Sequence, residues 1–249
     1  MILFYTNNIK NGIAELPQEE AMHCLKTLRK KVGDAIQFVD GQGSWYKGKI
    51  IGTGKKSVSI GIESVIENYN KRNHYLHIAI APTKNINRFE WFLEKATEFG
   101  IDEITPLLCY HSERKKIRLD RLQKVVVAAM KQSLKAYEPK INDLTSFKDF
   151  LKAQNNLENP SENQKFIAHC QDGFSDAKLH LKNIAGVYPE TSATKQAITI
   201  LIGPEGDFSS NEVELALSQN FQEISLGKER LRTETAGLAA CHIISLLNC

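Results

Sequence analysis

Two glycine-bearing segments near the carboxyl end hold the residues best suited to chemistry. The first reads ITILIGPEGDFSSNEVELAL, in which the apolar run Ile198–Ile202 enters Gly203-Pro204-Glu205-Gly206. Glycines admit positive φ and let ligand atoms reach the backbone. Ser209 and Glu212 have the spacing of a capping box, so a helix is expected to follow. The second reads ISLGKERLRTETAGLAACHIISLL. Here a short strand is expected to end at Leu226-Gly227, ahead of a basic loop with Lys228, Arg230 and Arg232. Thr233 is the expected N-cap of a last helix, with Glu234 at its positive end. In open parallel sheets ligands gather beyond the carboxyl ends of strands, so two such loops suit one cleft. Taken alone, each segment also fits an ordinary tight turn joined to a capped helix.

Other chemistries find less support. The chain has neither a GxGxxG nor a GxxxxGK[ST] pattern, which removes the familiar dinucleotide and phosphate loops. Its seven histidines include no HExxH, and His169-Cys170 are adjacent rather than spaced as ligands, so no metal is expected. No GxSxG elbow supports a Ser–His–Asp hydrolase. The five cysteines, at 24, 109, 170, 241 and 249, form no CxxC and read as reduced intracellular thiols. The opening MILFYTNNIKNG has too short an apolar run for a signal-peptide core. No stretch approaches the roughly 20 apolar residues of a membrane span. A cytoplasmic protein is expected.

These loops need a scaffold. The chain has 249 residues, 42% hydrophobic and 24% charged, an ordinary globular composition for one large or two modest domains. Residues 1–72 carry short β-like runs: Ile2–Thr6, Ala35–Asp40, Trp45–Ile51 and Ser57–Ser64. Gly41, Gly43, Gly52 and Gly54 punctuate them, and one helical piece runs from about Glu19 to Lys30. A small β-barrel domain is expected there. The polar NYNKRN at Asn68–Asn73 sets the expected boundary, leaving 73–249 as the second domain.

From Tyr75 the rhythm alternates. Strands are expected at Tyr75–Ala81, Ile101–Leu108, Phe166–Cys170, Ala197–Ile202 and Glu223–Leu226. Helices are expected at Arg88–Phe99, Leu119–Lys135, Ser146–Gln154, Ser210–Gln219 and Glu234–Leu247. In the first of these, Phe89, Phe92, Leu93 and Ala96 follow a helical apolar period, and Gly100 closes it. Asn155–Gln164 and Gly186–Gln196 read as polar loops. Strands alternating with helices imply an α/β domain whose mostly parallel sheet is covered on both faces.

Charge adds a hint about partners. The net charge is +3, and residues 1–72 hold eleven Lys/Arg against seven Asp/Glu. A second concentration lies at 111–135, with eight basic residues against two acidic ones. On a helical wheel Arg121, Lys124, Lys131 and Lys135 share one face, opposite Leu122, Val126, Ala129 and Ser133. A solvated basic face is the simpler explanation. Two such clusters also suit an RNA backbone. The candidate contacts are Lys26, Arg29 and Lys30 in the barrel and Arg114, Lys115, Arg121 and Lys124 beyond it.

LIGPEGDFS, followed about twenty residues later by LGKERLRTETA, is similar to the paired signature of the bacterial 16S ribosomal RNA uridine N3-methyltransferase family, within the SPOUT superfamily. HCLKTLRKKVGDAIQFVDGQG resembles that family's PUA-like RNA-binding barrel. PTKNINRFEWFLEKATEFGIDEITPL and AAMKQSLKAYEPKI, with Gln132-Ser133, resemble further family segments in the family's order. The resemblance implies a small N-terminal PUA-like β-barrel plus a SPOUT α/β domain with a C-terminal trefoil knot. It also implies a homodimer that uses S-adenosyl-L-methionine on 16S rRNA or on the assembled small subunit.

The cofactor residues implied are Leu201, Ile202, Gly203, Pro204 and Gly206 from the first loop. Ser225, Leu226, Gly227, Leu231, Arg232 and Thr233 come from the second. Uridine N3 keeps its proton at neutral pH, so a base or a stabilising cation is needed, and Arg232 and Glu234 are the candidates. Two departures stand out. Asp207 replaces a usual glycine, so backbone freedom there is expected to be dispensable. Lys131 and Lys135 stand where members often carry Glu and Arg. Two other readings stay open: a knot methyltransferase acting on another RNA position or on a ribose, and a non-catalytic assembly factor.

Overall fold

The computed structural model of the chain describes residues 2–155, 163–171, 179–184 and 196–248. The chain divides into two compact units, Met1–Lys71 with Val127–Glu138, and Arg72–Val126 with Pro139–Cys249. The division expected after residue 72 leaves out Val127–Glu138. That segment places Met130 and Ala136 in an apolar cluster with Leu3, Val39 and Trp45 of the first unit.

The first unit contains β1 (Phe4–Tyr5), β2 (Ile9–Lys10), β3 (Ile13–Glu15), α1 (Gln18–Met22), β4 (Ala35–Val39), β5 (Trp45–Thr53) and β6 (Val58–Ile66). Its sheet runs β1-β4-β5-β6-β3-β2 and curls around Phe4, Phe38, Ile50 and Ile60. Register shifts in the β5–β6 pair bend the long hairpin, as bulges do. The helix expected over Glu19–Lys30 is shorter. A π-type turn, His23–Thr27, follows α1, and Arg29 takes φ +53°.

The second unit contains β7 (His74–Ile80), α2 (Ile86–Phe99), β8 (Glu103–Leu108), β9 (Lys140–Ile141), β10 (Thr145–Ser146), α4 (Phe147–Asn155) and β11 (Asn163–Ala168). Then come β12 (Leu179–His180), α5 (Leu181–Ile184), β13 (Gln196–Ile202), α6 (Ser210–Ser218), β14 (Gln222–Ser225) and α7 (Thr233–Leu247). Between β8 and β9 lies α3 (Leu119–Gln132), which ends where Ser133 Oγ donates to Ala129 O and Leu134 takes φ +55°. That is earlier than the expected Lys135. The sheet is parallel throughout its named pairs, in the order β10-β8-β7-β13-β11-β14-β12, with β9 beside β8. The expected loop at Gly186–Gln196 falls almost wholly outside the described residues, as does most of Asn155–Gln164.

Strand alternation divides this sheet's core in two. Ile78, Ile80, Phe166, Ile200, Ile202 and Ile224 pack with Phe89, Phe92 and Leu93 of α2 and with Ala240 and Ile244 of α7. Ala79, Ile167 and Leu201 point to the other face, onto Phe150, Phe208, Val213 and Ala216. Burying one such isoleucine contributes about 2 kcal/mol. α7 lies close against the sheet at Gly237, where a Cβ would stand 2.7 Å from the Phe92 ring and 2.8 Å from Ile80. Among the described residues no helix is long and apolar enough to cross a membrane.

Candidate functional site

Register levels the carboxyl ends of the central strands. Ala168 of β11 pairs with Ile202 of β13 on one side and with Ile224 of β14 on the other. Just beyond these ends lies a cavity of about 120 Å³. Its walls come from Ala168–Cys170, from the loop after β13, and from the segment joining β14 to α7. The two glycine loops therefore do meet, with the end of β11 between them.

Of the residues put forward for a cofactor, Ile202, Gly203, Pro204, Ser225, Leu226, Gly227, Leu231 and Thr233 line this cavity. Leu201, Gly206 and Arg232 do not. The period of two turns Leu201 into the opposite core. Gly206 sits against His111, where a Cβ would be 3.0 Å from the histidine Cβ. Gly227 holds φ +139°, a conformation open to glycine and costly to other residues. Ser225 Oγ closes the turn, donating to Gly227 O at 2.9 Å and accepting Gly227 N at 3.2 Å.

The loop after β13 is braced from several directions. Ser209 and Glu212 form the expected capping box at the start of α6. Glu212 Oε1 also accepts the Tyr110 amide at 2.8 Å. Glu205 Oε1 accepts the Lys84 amide at 2.9 Å, which ties this loop to the one after β7. Asp207 takes φ +63°, so the backbone freedom expected to be dispensable there is in use. Asp207 meets that demand with local hydrogen bonding, since one carboxylate oxygen accepts its neighbour Phe208 N at 2.8 Å.

At the second loop, Thr233 is the first residue of α7 rather than its cap. The N-cap is Arg232, extended at φ −71° and ψ 155°, with no capping bond from its side chain. Arg232 is exposed. Glu234 is buried, and the cation facing it is Arg88 of α2, with Nε 3.8 Å from Oε1. Its other oxygen, Oε2, is buried without a hydrogen-bond partner.

The expected RNA contacts differ in what they already do. Arg114 is spent on the backbone: Nε donates to Thr83 O at 2.9 Å and a terminal nitrogen donates to Lys84 O. Arg121 pairs with Glu90 at 2.5 Å. Lys131 meets Glu20 in the first unit, and Lys30 donates to Ala35 O at 3.0 Å. Lys26, Arg29, Lys115 and Lys124 are exposed. Lys84, Glu113, Arg114, Lys115 and Lys116 surround an open cavity of about 400 Å³, in which Lys84 and Glu113 form an ion pair at 2.7 Å.

The middle wall is the strand end at His169 and Cys170, which in the sequence suits a cleft lining or a core role alike. His169 and Cys170 line the cavity, and His169 Nε2 meets Glu223 Oε1 of β14 at 2.9 Å. The one signal available was their place at the end of an apolar strand. Glu205, Asp207, Glu229, Arg230 and Ala236 complete the lining. The cavity thus combines apolar walls, from Ile202, Ile224, Leu226 and Leu231, with three carboxylates and one guanidinium. Such a lining suits a flat apolar base joined to a cationic group. Among the described residues no cluster of His, Cys, Asp or Glu is arranged to hold a metal ion.

Comparison with known proteins gives this cavity a context. Residues 70–245 match the RNA methyltransferase domain family, and residues 16–63 match the RNA methyltransferase PUA domain. A ribosomal RNA small subunit methyltransferase E from Rickettsia conorii is 30% identical over 241 residues, covering 96% of this chain and 91% of that protein. The crystal structure of a probable rRNA-methyltransferase from Porphyromonas gingivalis has a TM-score of 0.86 and 36% identity, over 100% of this chain and 98% of that one. A ribosomal RNA small subunit methyltransferase E from Neisseria gonorrhoeae, bound to S-adenosyl methionine, has a TM-score of 0.80 and 27% identity, over 99% of this chain and 98% of that one. With its family domain matched over most of its length, the chain belongs to the RNA methyltransferases, alongside the proteins named ribosomal RNA small subunit methyltransferase E.

Proposed function

We propose that the protein methylates N3 of a uridine in small-subunit ribosomal RNA with S-adenosyl-L-methionine as donor. One observation carries this reading: the GPEG loop and the LGKERLRTET segment converge on one cavity at the carboxyl ends of β11, β13 and β14. The donor, when bound, supplies an activated methyl group on a sulfonium. Ile202, Gly203, Pro204, Ser225, Leu226, Gly227, Leu231 and Thr233 would hold it, with Leu201 and Gly206 shaping the first loop from behind.

The protein's own task is then positioning and proton management. Arg232, exposed at the start of α7, stabilises the uridine as N3 loses its proton. Glu234, one residue into the same helix, is the candidate acceptor and stands against Arg88. The RNA backbone is met by Lys26, Arg29 and Lys30 in the first unit and by Lys115 and Lys124 in the second. Arg114 and Arg121 support them through Lys84 and Glu90. The reading extends to a cytoplasmic homodimer with a C-terminal knot. Trp91 and Phe99 on α2 and Leu246 on α7 are exposed apolar side chains that a second copy would cover.

The test is methyl transfer from isotopically labelled S-adenosylmethionine to assembled small subunits and to naked ribosomal RNA, both from cells lacking the endogenous activity. Label in N3-methyluridine is expected. Label in another base or in a ribose would replace the target while keeping the reaction. Absence of both cofactor binding and label would favour the assembly-factor reading.

A further inference from the structure

Asp207 stands where the family pattern has glycine, and its backbone keeps the left-handed conformation at φ +63°. Aspartate tolerates this region because a short polar side chain can bond locally. One carboxylate oxygen does so, accepting Phe208 N at 2.8 Å. The other does something that local tolerance does not require. Oδ2 accepts the amide of Cys170 at 2.8 Å, from a residue 37 positions away.

That amide lies just past β11, the strand between β13 and β14. The end of β11 is the middle wall of the cavity, formed by Ala168, His169 and Cys170. On the β14 side it is held through His169 and Glu223 at 2.9 Å. On the β13 side it is held by Asp207. Two further bonds continue that seam: Gln171 Nε2 donates to Phe208 O, and Ser210 Oγ donates to Gln171 Oε1 at 3.0 Å. His111 Nδ1 lies 3.1 Å from Asp207 O.

We propose that Asp207 is a positioning residue for the cofactor: its carboxylate fixes the Cys170 amide and so holds the middle wall of the cavity in its binding shape. Glycine would reach the same backbone conformation at less cost but cannot make this tie. The proposal rests on the cavity being the S-adenosylmethionine site.

The experiment compares wild type with Asp207→Gly and Asp207→Asn. Calorimetry gives the affinity for S-adenosylmethionine, NMR gives the exchange rate of the Cys170 amide in the ligand-free protein, and thermal unfolding gives the melting temperature. In Asp207→Gly the amide is expected to exchange faster and the cofactor to bind about tenfold more weakly, the worth of one hydrogen bond to a charged group. Its melting temperature is expected to change little because glycine relieves the positive φ. Asp207→Asn keeps one acceptor oxygen but turns its NH2 toward the other amide, so its affinity is expected to fall between wild type and Asp207→Gly. Wild-type affinity in Asp207→Gly would overturn the proposal, and so would a Cys170 amide that exchanges no faster in Asp207→Gly than in wild type. If the wild type binds no S-adenosylmethionine while Cys170 exchange still responds to Asp207, the cofactor reading falls and the tie stands as purely structural.

Discussion

Glu234 of α7 and Arg88 of α2 face each other at 3.8 Å, with the glutamate side chain 8% exposed and the arginine 43%. The second glutamate oxygen has no hydrogen-bond partner. A buried carboxylate without its cation is costly. Arg88→Ala is therefore expected to destabilise the fold by about 1–2 kcal/mol, a value reduced from the fully buried case because Arg88 is partly solvated. Adding Glu234→Gln should return most of that loss. Equal melting temperatures for wild type and Arg88→Ala would show that the pair contributes nothing.

Arg232 caps the same helix through its backbone, whose carbonyl accepts Ala236 N at 2.8 Å, while its side chain makes no capping bond. An exposed side chain without such a role changes stability by about 0.5 kcal/mol or less. Arg232→Ala is expected to keep its melting temperature and lose methyl transfer. Near-normal turnover would remove Arg232 from the chemistry.

Cys170 is exposed and lines the cavity, whereas Cys24, Cys109 and Cys241 are buried. A thiol-alkylating reagent should modify Cys170 faster than those three, and saturating S-adenosylmethionine should slow that modification severalfold. Peptide mapping by mass spectrometry separates the sites. Labelling of Cys170 indifferent to cofactor would place the cofactor elsewhere.

A polar network at the amino end of β8 predicts the acid response. Glu103 accepts from Tyr75 Oη at 2.7 Å, Asn142 Nδ2 at 2.7 Å and Lys140 Nζ at 2.9 Å. Burial opposes its charge, but the facing His77 and the donors Asn142, Lys140 and Tyr75 hold its pKa at about 2. His77 is itself pushed down to about 4 by burial, against the pull of Glu103. The unfolded chain takes up a proton on His77 near its ordinary 6.5, and the fold refuses it until about 4, so stability falls across that range. The Glu103 contribution is complete above its ordinary 4.5 and is lost as pH falls toward 2. Urea midpoints should thus decline steadily from pH 7 to pH 3. Glu103→Gln should flatten the lower part of that curve and His77→Gln the upper part. A midpoint independent of pH would contradict both.

Binding to the RNA substrate should weaken steeply with salt, because cations meet phosphates. The double substitution Lys115→Ala, Lys116→Ala should lower affinity and reduce the slope of log affinity against log salt by about 1–2, near one unit per lost phosphate contact. An unchanged slope would assign these lysines to solvent alone.

Much of this architecture was legible because its signals are local. Alternating apolar runs mark β7, β8 and β13, Gly100 ends α2 at φ +97°, and Ser209 with Glu212 caps α6. The two glycine loops stand out for the same reason. Partnerships across the chain were not legible. Arg114 reads as a free cation until the carbonyls of Thr83 and Lys84 are seen to occupy it. His169 and Cys170 read as strand-end residues, and only the order β13-β11-β14 turns them into a wall. Leu201 shows the cost of treating a motif as contiguous. Its neighbour Ile202 lines the cavity, while Leu201 itself faces the opposite core.

The three walls of the cavity come from around residues 168–170, 202–207 and 224–236, brought level by pairings on both sides of β11. Each of these local pieces supplies one wall and none supplies the cavity. Long-range strand pairings of this kind are paid for in loop entropy before they return any stability. A ligand that recognises only the completed arrangement cannot template the search for it. It binds the native state, deepening that basin by mass action. Its kinetic signature is slower unfolding with an unchanged refolding rate, so the cofactor acts as a lock on the finished domain rather than a guide to it.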